Sequence, residues 1–353
     1  MSIMEVKRYR DVLRDLHRTF PYWEELSGKT ILISGASGML GSLLVDAVML
    51  WNEKRPTHKK CSIIGLVRDM KKAVVRFSYW NGLPEISCVQ HDICDPLPEL
   101  LHMPNYWIHA ASTTHPVAYS TEPINTIVSN VMGTRNMLEK VYESGGRFVL
   151  LSSVEIYGER HDNADVFSEE YCGYIDCNTL RAGYPEAKRV SEAMCQAYIA
   201  EHGTDAVILR LPRCYGPTMH MTDTKAIAQF IKKAVYRENI VLKSEGAQLY
   251  SYAFAADAVC GMLWVMLRGN TGEAYNLADK GSDITLRDLA QIVADCAGTK
   301  VIFEIANEIE RRGFSKSSKA VMDGQKLKGL GWRPNERIES GIKKTIETLS
   351  NLI

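Results

Sequence analysis

A short apolar segment that runs into a glycine-rich turn constrains the fold of this chain more than any other feature. Thr30–Ser34 precedes a Gly-x-x-Gly-x-x-Gly sequence, and the residues from Leu40 to Trp51 have helical character. Glycines let the backbone approach a pyrophosphate closely, and the start of a helix presents free N–H groups and a positive dipole end. This strand–turn–helix unit predicts a dinucleotide site. Its expected contacts are Gly35, Ser37, Gly38, Met39, Leu40 and Gly41.

Apolar segments alternate with helical ones along the next part of the chain. The expected strands are Cys61–Val67, Ser87–Gln90, Tyr106–Ala111, Arg147–Ser152 and Ala206–Leu211, and long helices are expected at Asn125–Glu143 and Glu186–His202. This alternation indicates a parallel sheet with helices on both faces. The predicted fold class is therefore α/β, a Rossmann-like doubly wound parallel sheet with a smaller C-terminal substrate-binding lobe.

The 353 residues of the chain are enough for two lobes around a large core. We predict an N-terminal helical extension at 1–27 and a dinucleotide-binding Rossmann domain at 28–211, with a return segment near 250–268. The substrate-binding lobe is expected to combine 212–249 and 269–353.

The composition is that of an ordinary globular protein and excludes several classes of partner. Lys+Arg and Asp+Glu number 42 each, so no excess charge favours nucleic acid or an anionic membrane. The N-terminus lacks an apolar signal core, and no apolar run approaches the roughly 18 residues of a membrane span. Nine scattered cysteines are typical of free thiols, with no metal site. We expect a cytoplasmic protein without a nucleic-acid or membrane partner.

The ends of the second and third strands are expected to contact the adenosine half of the dinucleotide. Arg68 is suited to a 2′-phosphate, which favours NADP, whereas Asp69 is suited to the ribose of NAD. Both cofactors remain open from these residues. Asp92 and Ile93 are placed beside the adenine.

A serine, a tyrosine and a lysine occur in the order that alcohol oxidation requires. Ser153 follows the fifth strand, and Tyr184 and Lys188 begin the next long helix. An ammonium beside a phenol favours the phenolate, which is a general base for an alcohol, and the Ser153 hydroxyl can share the same proton. Glu155 adds a titratable group that a plain dehydrogenase does not need.

Several longer segments resemble the extended short-chain dehydrogenase/reductases that act on nucleotide sugars, and the similarity extends over nearly all of the chain after residue 27. The motifs are closest to those of UDP-glucuronate decarboxylases. The similar segments are His109-Ala110-Ala111, Ser129 to Leu138, Arg181 to Glu192, and Arg210 to Pro217.

The resemblance implies a cofactor, a substrate class and roles for individual residues. It implies NAD as the cofactor, bound also by Ala110, Ala111, Ser112, Tyr184 and Lys188. It further implies a UDP-sugar substrate and a homodimer formed by the two long helices. Ser153 and Tyr184 would hold the sugar 4-hydroxyl, Lys188 would lower the pKa of Tyr184, and Glu155 would act on the 4-keto intermediate. The implied substrate contacts are His115, Tyr119, Arg181, Arg213, Gln248 and Tyr250.

Three positions depart from the pattern of that family. Val154 cannot serve as the acid that many 4,6-dehydratases place between the Ser and the Glu. Tyr250 falls where decarboxylases have an Arg, and Arg213, which stands where the superfamily often has Asn, can partly compensate. His115 replaces a residue that is usually small.

Three reactions therefore remain open, and all of them begin with oxidation at C4. Decarboxylation requires a uronate and Glu155, 4-epimerisation requires only Ser153, Tyr184 and Lys188, and 4,6-dehydration requires an acid for the leaving hydroxyl. Decarboxylation and 4-epimerisation rank above an atypical dehydration. The alternative outside enzymes is a regulatory protein that binds a dinucleotide without chemistry.

Overall fold

The structure is a computed structural model that describes residues 1–112, 114, 119, 121–160, 165–304 and 318–353. Within these residues, a seven-stranded parallel sheet forms the centre of the fold. The strands are β1 (Thr30–Ser34), β2 (Ser62–Val67), β3 (Ile86–Gln90), β4 (Tyr106–His109), β5 (Arg147–Ser153), β6 (Asp205–Leu211), β7 (Arg213–Tyr215), β8 (Ile240–Leu242), β9 (Leu249–Phe254), β10 (Ala274–Asn276), β11 (Asp283–Thr285), β12 (Val301–Phe303) and β13 (Lys319–Ala320).

The helices cover both faces of this sheet and build the smaller lobe. They are α1 (Lys7–Thr19), α2 (Met39–Asn52), α3 (Met70–Arg76), α4 (Pro123–Ser144), α5 (Gly183–His202), α6 (Ala226–Val235), α7 (Ala255–Arg268), α8 (Leu286–Ala297), α9 (Gln325–Gly329) and α10 (Ile338–Ser350). On one face α4 packs against α5, and on the other α2 packs against α7. The described residues contain no helix with the length and apolar character that crossing a membrane requires.

The strand order of the central sheet is β10-β6-β5-β4-β1-β2-β3, and all neighbouring strands are parallel. Ile31, Leu32 and Ile33 of β1 are fully buried, as expected for a strand with helices on both faces. The predicted doubly wound α/β fold is confirmed. The order changes direction between β1 and β4, and ligands of such sheets bind at the carboxyl ends of the strands beside this point.

The predicted strands agree with the structure except at their ends. The fourth strand stops at His109, two residues before the expected Ala111. The reason is that the N–H groups of Ala110 and Ala111 both donate to Ser34 Oγ, at 3.1 Å each, and so leave the ladder. Ala274–Asn276, inside the range expected for the substrate-binding lobe, forms the edge strand of the central sheet beside β6.

The smaller lobe lies above the carboxyl ends of the strands. Its sheet pairs β9 with β11, β13 and β7, and a separate pair joins β8 to β12. A single residue, Pro212, separates β6 from β7, so the chain passes directly from the central sheet into this lobe. Residues on both sides of that step therefore face the same cleft.

The N-terminal segment packs along α2 through a buried polar cluster. Tyr9, Val12 and Leu13 of α1 lie in the core. The Tyr9 hydroxyl donates to Asp46 Oδ2 of α2 at 2.6 Å, and Trp80 Nε1 donates to Asp46 Oδ1 at 2.8 Å. Arg76 pairs with the same carboxylate, which is fully buried. The charge of Asp46 is thus balanced by one cation and two further donors.

Candidate active site

The carboxyl ends of the central strands and the smaller lobe enclose a cleft of about 1070 Å³. Every predicted contact that lies within the described residues lines this cleft. They are Gly35, Ser37, Gly38, Met39, Leu40, Gly41, Arg68, Asp69, Asp92, Ile93, Ala110, Ala111, Ser112, Tyr119, Ser153, Glu155, Arg181, Tyr184, Lys188, Arg213, Gln248 and Tyr250. His115 lies outside the described residues. Positions spread over more than 200 residues of sequence are thus gathered in one place.

The glycine loop is compact enough for a pyrophosphate to reach the start of α2. Gly35 has φ +70°, and the Gly38 N–H donates to its carbonyl at 2.9 Å. A Cβ on Gly41 would lie 2.5 Å from the Gly35 oxygen, so this turn excludes any larger residue. The helix begins directly afterwards at Met39, with its first N–H groups at the cleft. The loop and the helix fit a dinucleotide phosphate.

A buried contact that the sequence analysis did not identify joins the first and fourth strands at the cleft. Ser34 Oγ accepts the N–H groups of Ala110 and Ala111 and lies 2.8 Å from His109 Nδ1. Burial lowers the pKa of His109 to about 3, so this imidazole is neutral. The neutral ring accepts the Ser34 hydroxyl proton at Nδ1, and this arrangement holds the 110–111 backbone against the glycine loop.

At the adenosine end, two acidic side chains are partly engaged by the backbone. Asp69 Oδ1 accepts the N–H of Lys72 at 3.1 Å and caps α3, and Asp92 Oδ1 accepts the N–H of Cys94 at 3.0 Å. These bonds lower the pKa of both carboxyl groups. Arg68 is exposed beside them. The structure therefore brings together both residues on which the choice between NAD and NADP depended.

The residues predicted to oxidise an alcohol, Ser153, Tyr184 and Lys188 (the oxidation residues), lie at the end of β5 and the start of α5 and are held by hydrogen bonds. Lys188 Nζ donates to the Leu151 carbonyl at 2.8 Å, and the Glu155 N–H donates to Ser153 Oγ at 3.2 Å. Tyr184 has hydrogen-bonding contacts with Ser153 and Ser112. Ser112 in turn donates to Asn130 Oδ1 at 3.0 Å. Asn130 was not predicted; its side chain is buried within α4.

The pKa of Tyr184 differs from the sequence-based expectation, and that of Lys188 is shifted as well. We expected Lys188 to lower the pKa of Tyr184, but burial raises it to about 12 and outweighs the contacts with Ser153 and Ser112, which lower it. Burial also lowers the pKa of Lys188 to about 8. Both groups are therefore driven toward their neutral forms, because a charge in this closed site is poorly solvated.

Arg213 connects the residues on the substrate side of the cleft. Its guanidinium lies 3.7 Å from the ring centroid of Tyr250, and its Nη2 lies 3.5 Å from Glu155 Oε1. The Tyr119 ring stacks on that of Tyr184 at 4.9 Å and 13°. Burial raises the pKa of both phenols; Glu155 raises both further, and the charge of Arg213 opposes the rise at Tyr119. The guanidinium and the carboxylate thus flank the oxidation residues.

Lys225 is a further cation in the cleft that sequence reasoning missed. Its ammonium contacts Asp223 Oδ2 and Thr114 Oγ1, each at 3.1 Å. It lies between β7 and α6, in a segment without a recognisable motif. Among the described residues no cluster of three His, Cys, Asp or Glu side chains is arranged to bind a metal ion. None of the nine cysteines, all of which lie within the described residues, forms a disulfide.

Comparisons with known proteins agree on one family. Residues 31–278 match the model described as the NAD dependent epimerase/dehydratase family. The chain is 29% identical over 344 residues to UDP-glucuronic acid decarboxylase 1 of Xenopus tropicalis, covering 96% of this chain and 77% of that protein.

Two solved structures share the fold at lower sequence identity. A dTDP-glucose 4,6-dehydratase of Streptomyces venezuelae, solved with NAD, has a TM-score of 0.74 at 23% identity and covers 90% of this chain and 96% of its own. A UDP-glucuronic acid 4-epimerase of Bacillus cereus, solved with UDP-glucuronic acid and NAD, has a TM-score of 0.75 at 17% identity and covers 92% of this chain and 100% of its own.

Proposed function

This chain belongs to the NAD-dependent epimerase/dehydratase family, a family of enzymes that modify nucleotide sugars, and from that premise we propose that it decarboxylates a nucleotide-activated uronate. The proposed reaction passes through a transient 4-ketone and leaves the cofactor unchanged overall. UDP-glucuronate is the favoured substrate, because the relatives that match almost the whole chain are UDP-glucuronic acid decarboxylases.

NAD fits the residues of the cleft. The glycine loop and the first N–H groups of α2 would hold its pyrophosphate, and Asp69 and Asp92 its adenosine half. Lys188 would bind the ribose on the nicotinamide side. NAD, when bound, supplies the two-electron oxidation of C4 and its later reversal.

Ser153 and Tyr184 handle the proton of the sugar 4-hydroxyl in this proposal. Their hydroxyl groups are in hydrogen-bonding contact, so one substrate oxygen can contact both. Tyr184 takes the hydroxyl proton as C4 is oxidised and returns it when C4 is reduced. The Ser153 and Ser112 hydroxyls, which lower the pKa of Tyr184, stabilise the phenolate in between.

The observation that carries the decarboxylase proposal is the meeting of Glu155 and Arg213 beside Tyr184. Once C4 is a ketone, the substrate is a β-keto acid. Its C5–C6 bond breaks, carbon dioxide leaves, and the electron pair passes into the enolate of the 4-ketone. Glu155 then delivers a proton to C5. One proton is consumed and one carbon dioxide is released.

A second candidate function is 4-epimerisation, and one observation favours it. Tyr250 brings a phenol ring to the cleft where decarboxylases have an Arg, so residue 250 itself supplies no cation. In an epimerase the ketone would turn over in the site and be reduced on its other face, and Glu155 would have no proton to deliver.

The test is to incubate the NAD-loaded protein with UDP-glucuronate and to analyse the products by mass spectrometry and NMR. A product lighter by the mass of carbon dioxide supports decarboxylation. An unchanged mass with new ring couplings assigns epimerisation, and a loss of the mass of water assigns dehydration. No turnover of this substrate or of UDP-glucose would favour the regulatory dinucleotide-binding protein.

We also propose that two copies of the chain associate through α4 and α5. Apolar side chains are exposed on these helices, among them Ile124 at 77%, Val190 at 44% and Ile127 at 42%. A second copy would cover them by pairing the same two helices into a four-helix interface. Light scattering of the purified protein tests this, and Ile124→Glu is expected to convert a dimer to a monomer.

A further inference from the structure

We propose that Arg213 binds the carboxylate of the substrate sugar, and so selects a uronate over a neutral hexose. The inference rests on the proposed function in one respect, since it takes the substrate to be a nucleotide sugar that is oxidised at C4. It assigns a specific role in recognition to a residue of the first strand of the smaller lobe.

The position of the guanidinium is determined by β9. Arg213 and Tyr252 are register partners in the parallel pair of β7 and β9, and Tyr250 precedes Tyr252 on the same face of the strand. The Tyr250 ring lies 3.7 Å below the guanidinium, within the range of a cation–π contact. This contact orients the planar group without using its N–H donors.

The donors of Arg213 are poorly matched by protein acceptors. The contact of Nη2 with Glu155 is 3.5 Å long, whereas charge-assisted bonds of this kind are usually about 2.7–2.9 Å. Nη1 is buried and has no hydrogen-bond partner among the described residues. A buried donor without an acceptor is unfavourable, so this edge of the guanidinium is suited to an acceptor supplied by a ligand.

Other cations near the cleft are paired more closely. Lys188 donates to a carbonyl at 2.8 Å, and Lys225 contacts two oxygens at 3.1 Å. Arg210, just before β7, pairs with Glu192 at 2.7 Å. Arg213 thus differs from these three cations in having a long contact and an unused buried donor.

The location of Arg213 matches the geometry of a uronate. The carboxylate of a hexuronate is attached to C5, next to the C4 that carries the reacting hydroxyl. A group that binds this carboxylate must therefore lie beside Tyr184. Arg213 lines the same cleft as Tyr184, and its guanidinium lies 3.5 Å from Glu155, two residues after the Ser153 that contacts Tyr184.

A substrate carboxylate would replace Glu155 as the partner of Arg213. Two carboxylates compete for one guanidinium, and the substrate can form two parallel bonds with it. Binding of the substrate carboxylate would thus release the Glu155 side chain, which the proposed reaction uses at C5.

The experiment compares the binding of three ligands, UDP, UDP-glucose and UDP-glucuronate, to the NAD-loaded protein by isothermal titration calorimetry. In Arg213→Gln we expect the affinity for UDP-glucuronate to fall by ~10-fold or more, since a charge-assisted bidentate pair is lost. The affinities for UDP and UDP-glucose should change by less than about 2-fold. Arg213→Lys, which keeps the charge without the planar fork, should lie between the wild type and Arg213→Gln.

Lys225→Met is the matched control, because it removes a cation from another part of the same cleft. It should alter the affinities for all three ligands by a common factor. An unchanged unfolding temperature and unchanged NAD affinity show that each variant is folded.

Two results would overturn the inference. One is an equal loss of affinity for all three ligands in Arg213→Gln, which would place the guanidinium on the nucleotide. The other is a wild type that binds UDP-glucuronate no more tightly than UDP-glucose. Failure of the proposed function can be distinguished from failure of this inference. If Arg213→Gln selectively loses UDP-glucuronate binding while the wild-type protein forms an epimerised product, the role of Arg213 is retained and decarboxylation is excluded.

Discussion

The two sides of the active-site cleft are built differently. On the oxidation side, Tyr184 and Lys188 are 5% and 2% exposed, and Lys188 is tied to the backbone by a 2.8 Å bond. On the substrate side, the side chains of Arg213 and Glu155 are 20% and 36% exposed, and they are joined by a single 3.5 Å contact. The first side is closed and closely bonded, and the second is open to a ligand.

This difference indicates how the two halves contribute to function. Oxidation at C4 is common to all three reactions considered, so its residues can be held in one rigid arrangement. In the proposed reaction the outcome depends on what the ketone meets next, which is Glu155 just after β5 together with Arg213 and Tyr250 of the smaller lobe. Variation of Arg213 and Tyr250 can therefore alter the reaction without disturbing the oxidation residues.

The largest expected effect comes from Tyr184→Phe on the oxidation side. Removal of the hydroxyl should lower turnover by about 10³-fold, because it removes the group proposed to take the proton of the 4-hydroxyl. NAD affinity should stay within a few-fold, as the ring is kept. Turnover is measured with UDP-glucuronate, and the exposed Tyr174→Phe is the control. Near-normal activity in Tyr184→Phe would overturn the assignment of the general base.

Glu155→Gln tests the substrate side, with the next largest effect. A decarboxylase should lose about 10²-fold in product formation, since the amide cannot deliver a proton to C5. An epimerase should keep most of its activity. The nearby exposed Glu159→Gln controls for the change in net charge. Retained release of carbon dioxide in Glu155→Gln would exclude Glu155 as the proton donor.

Lys188→Met tests whether burial of the Lys188 ammonium on the oxidation side lowers the free energy of unfolding. The pKa of Lys188 is about 8 in the folded protein against an ordinary 10.5, so the buried ammonium disfavours the folded state below pH 8. The variant should therefore be more stable at pH 7 by about 1–2 kcal/mol, after allowance for the lost bond to Leu151. It should also lose turnover.

The difference in unfolding free energy between Lys188→Met and the wild type should depend on pH. Between pH 8 and 10.5 the unfolded chain keeps the proton that the folded protein has lost, so the stability of the wild type rises with pH in this window. The extra stability of Lys188→Met over the wild type should therefore become smaller as the pH rises from 8 to 10.5. Urea unfolding at both ends of the window measures it, and a variant that is less stable at neutral pH would contradict the expected burial cost.

The smallest effect is expected from Ser112→Ala, at the edge of the oxidation side. Ser112 lowers the pKa of Tyr184, so its loss should raise that pKa further and reduce turnover by about 3–10-fold. The acid limb of the pH–rate profile should move to higher pH. Ser191→Ala, which removes another buried hydroxyl, should leave the profile in place. An unmoved limb in Ser112→Ala would mean that this residue does not tune the phenol.

The sequence predicted the parts of the molecule that depend on local patterns. The strands, the long helices and the glycine loop follow from runs of apolar residues and from residues with special backbone freedom. The order of Ser153, Tyr184 and Lys188 predicted a shared site, and the structure brings all three to one cleft. Even Arg213 was identified as a replacement cation, because its position relative to Tyr250 could be compared with a known family.

The features that the sequence did not predict depend on contacts between residues far apart in the chain and on burial, and neither can be inferred from a local sequence pattern. The Ser34–His109 contact joins residues 75 positions apart, and the bond between Ser112 and the buried Asn130 joins residues 18 positions apart. The pKa of Tyr184 moved in the direction opposite to our expectation, since the expectation included the Lys188 charge and omitted the loss of water around the phenol.

Asp46 has a consequence for the cofactor. The same helix that presents its first N–H groups to the pyrophosphate carries this buried carboxylate, to which Tyr9 of the N-terminal segment donates. Detachment of that segment would remove the hydrogen bond from Tyr9 to the Asp46 carboxylate and would expose part of α2. By thermodynamic linkage, a ligand that tightens the start of α2 must also resist this detachment. NAD is therefore expected to protect from proteolysis the N-terminal segment, whose described residues lie outside the lining of the cleft.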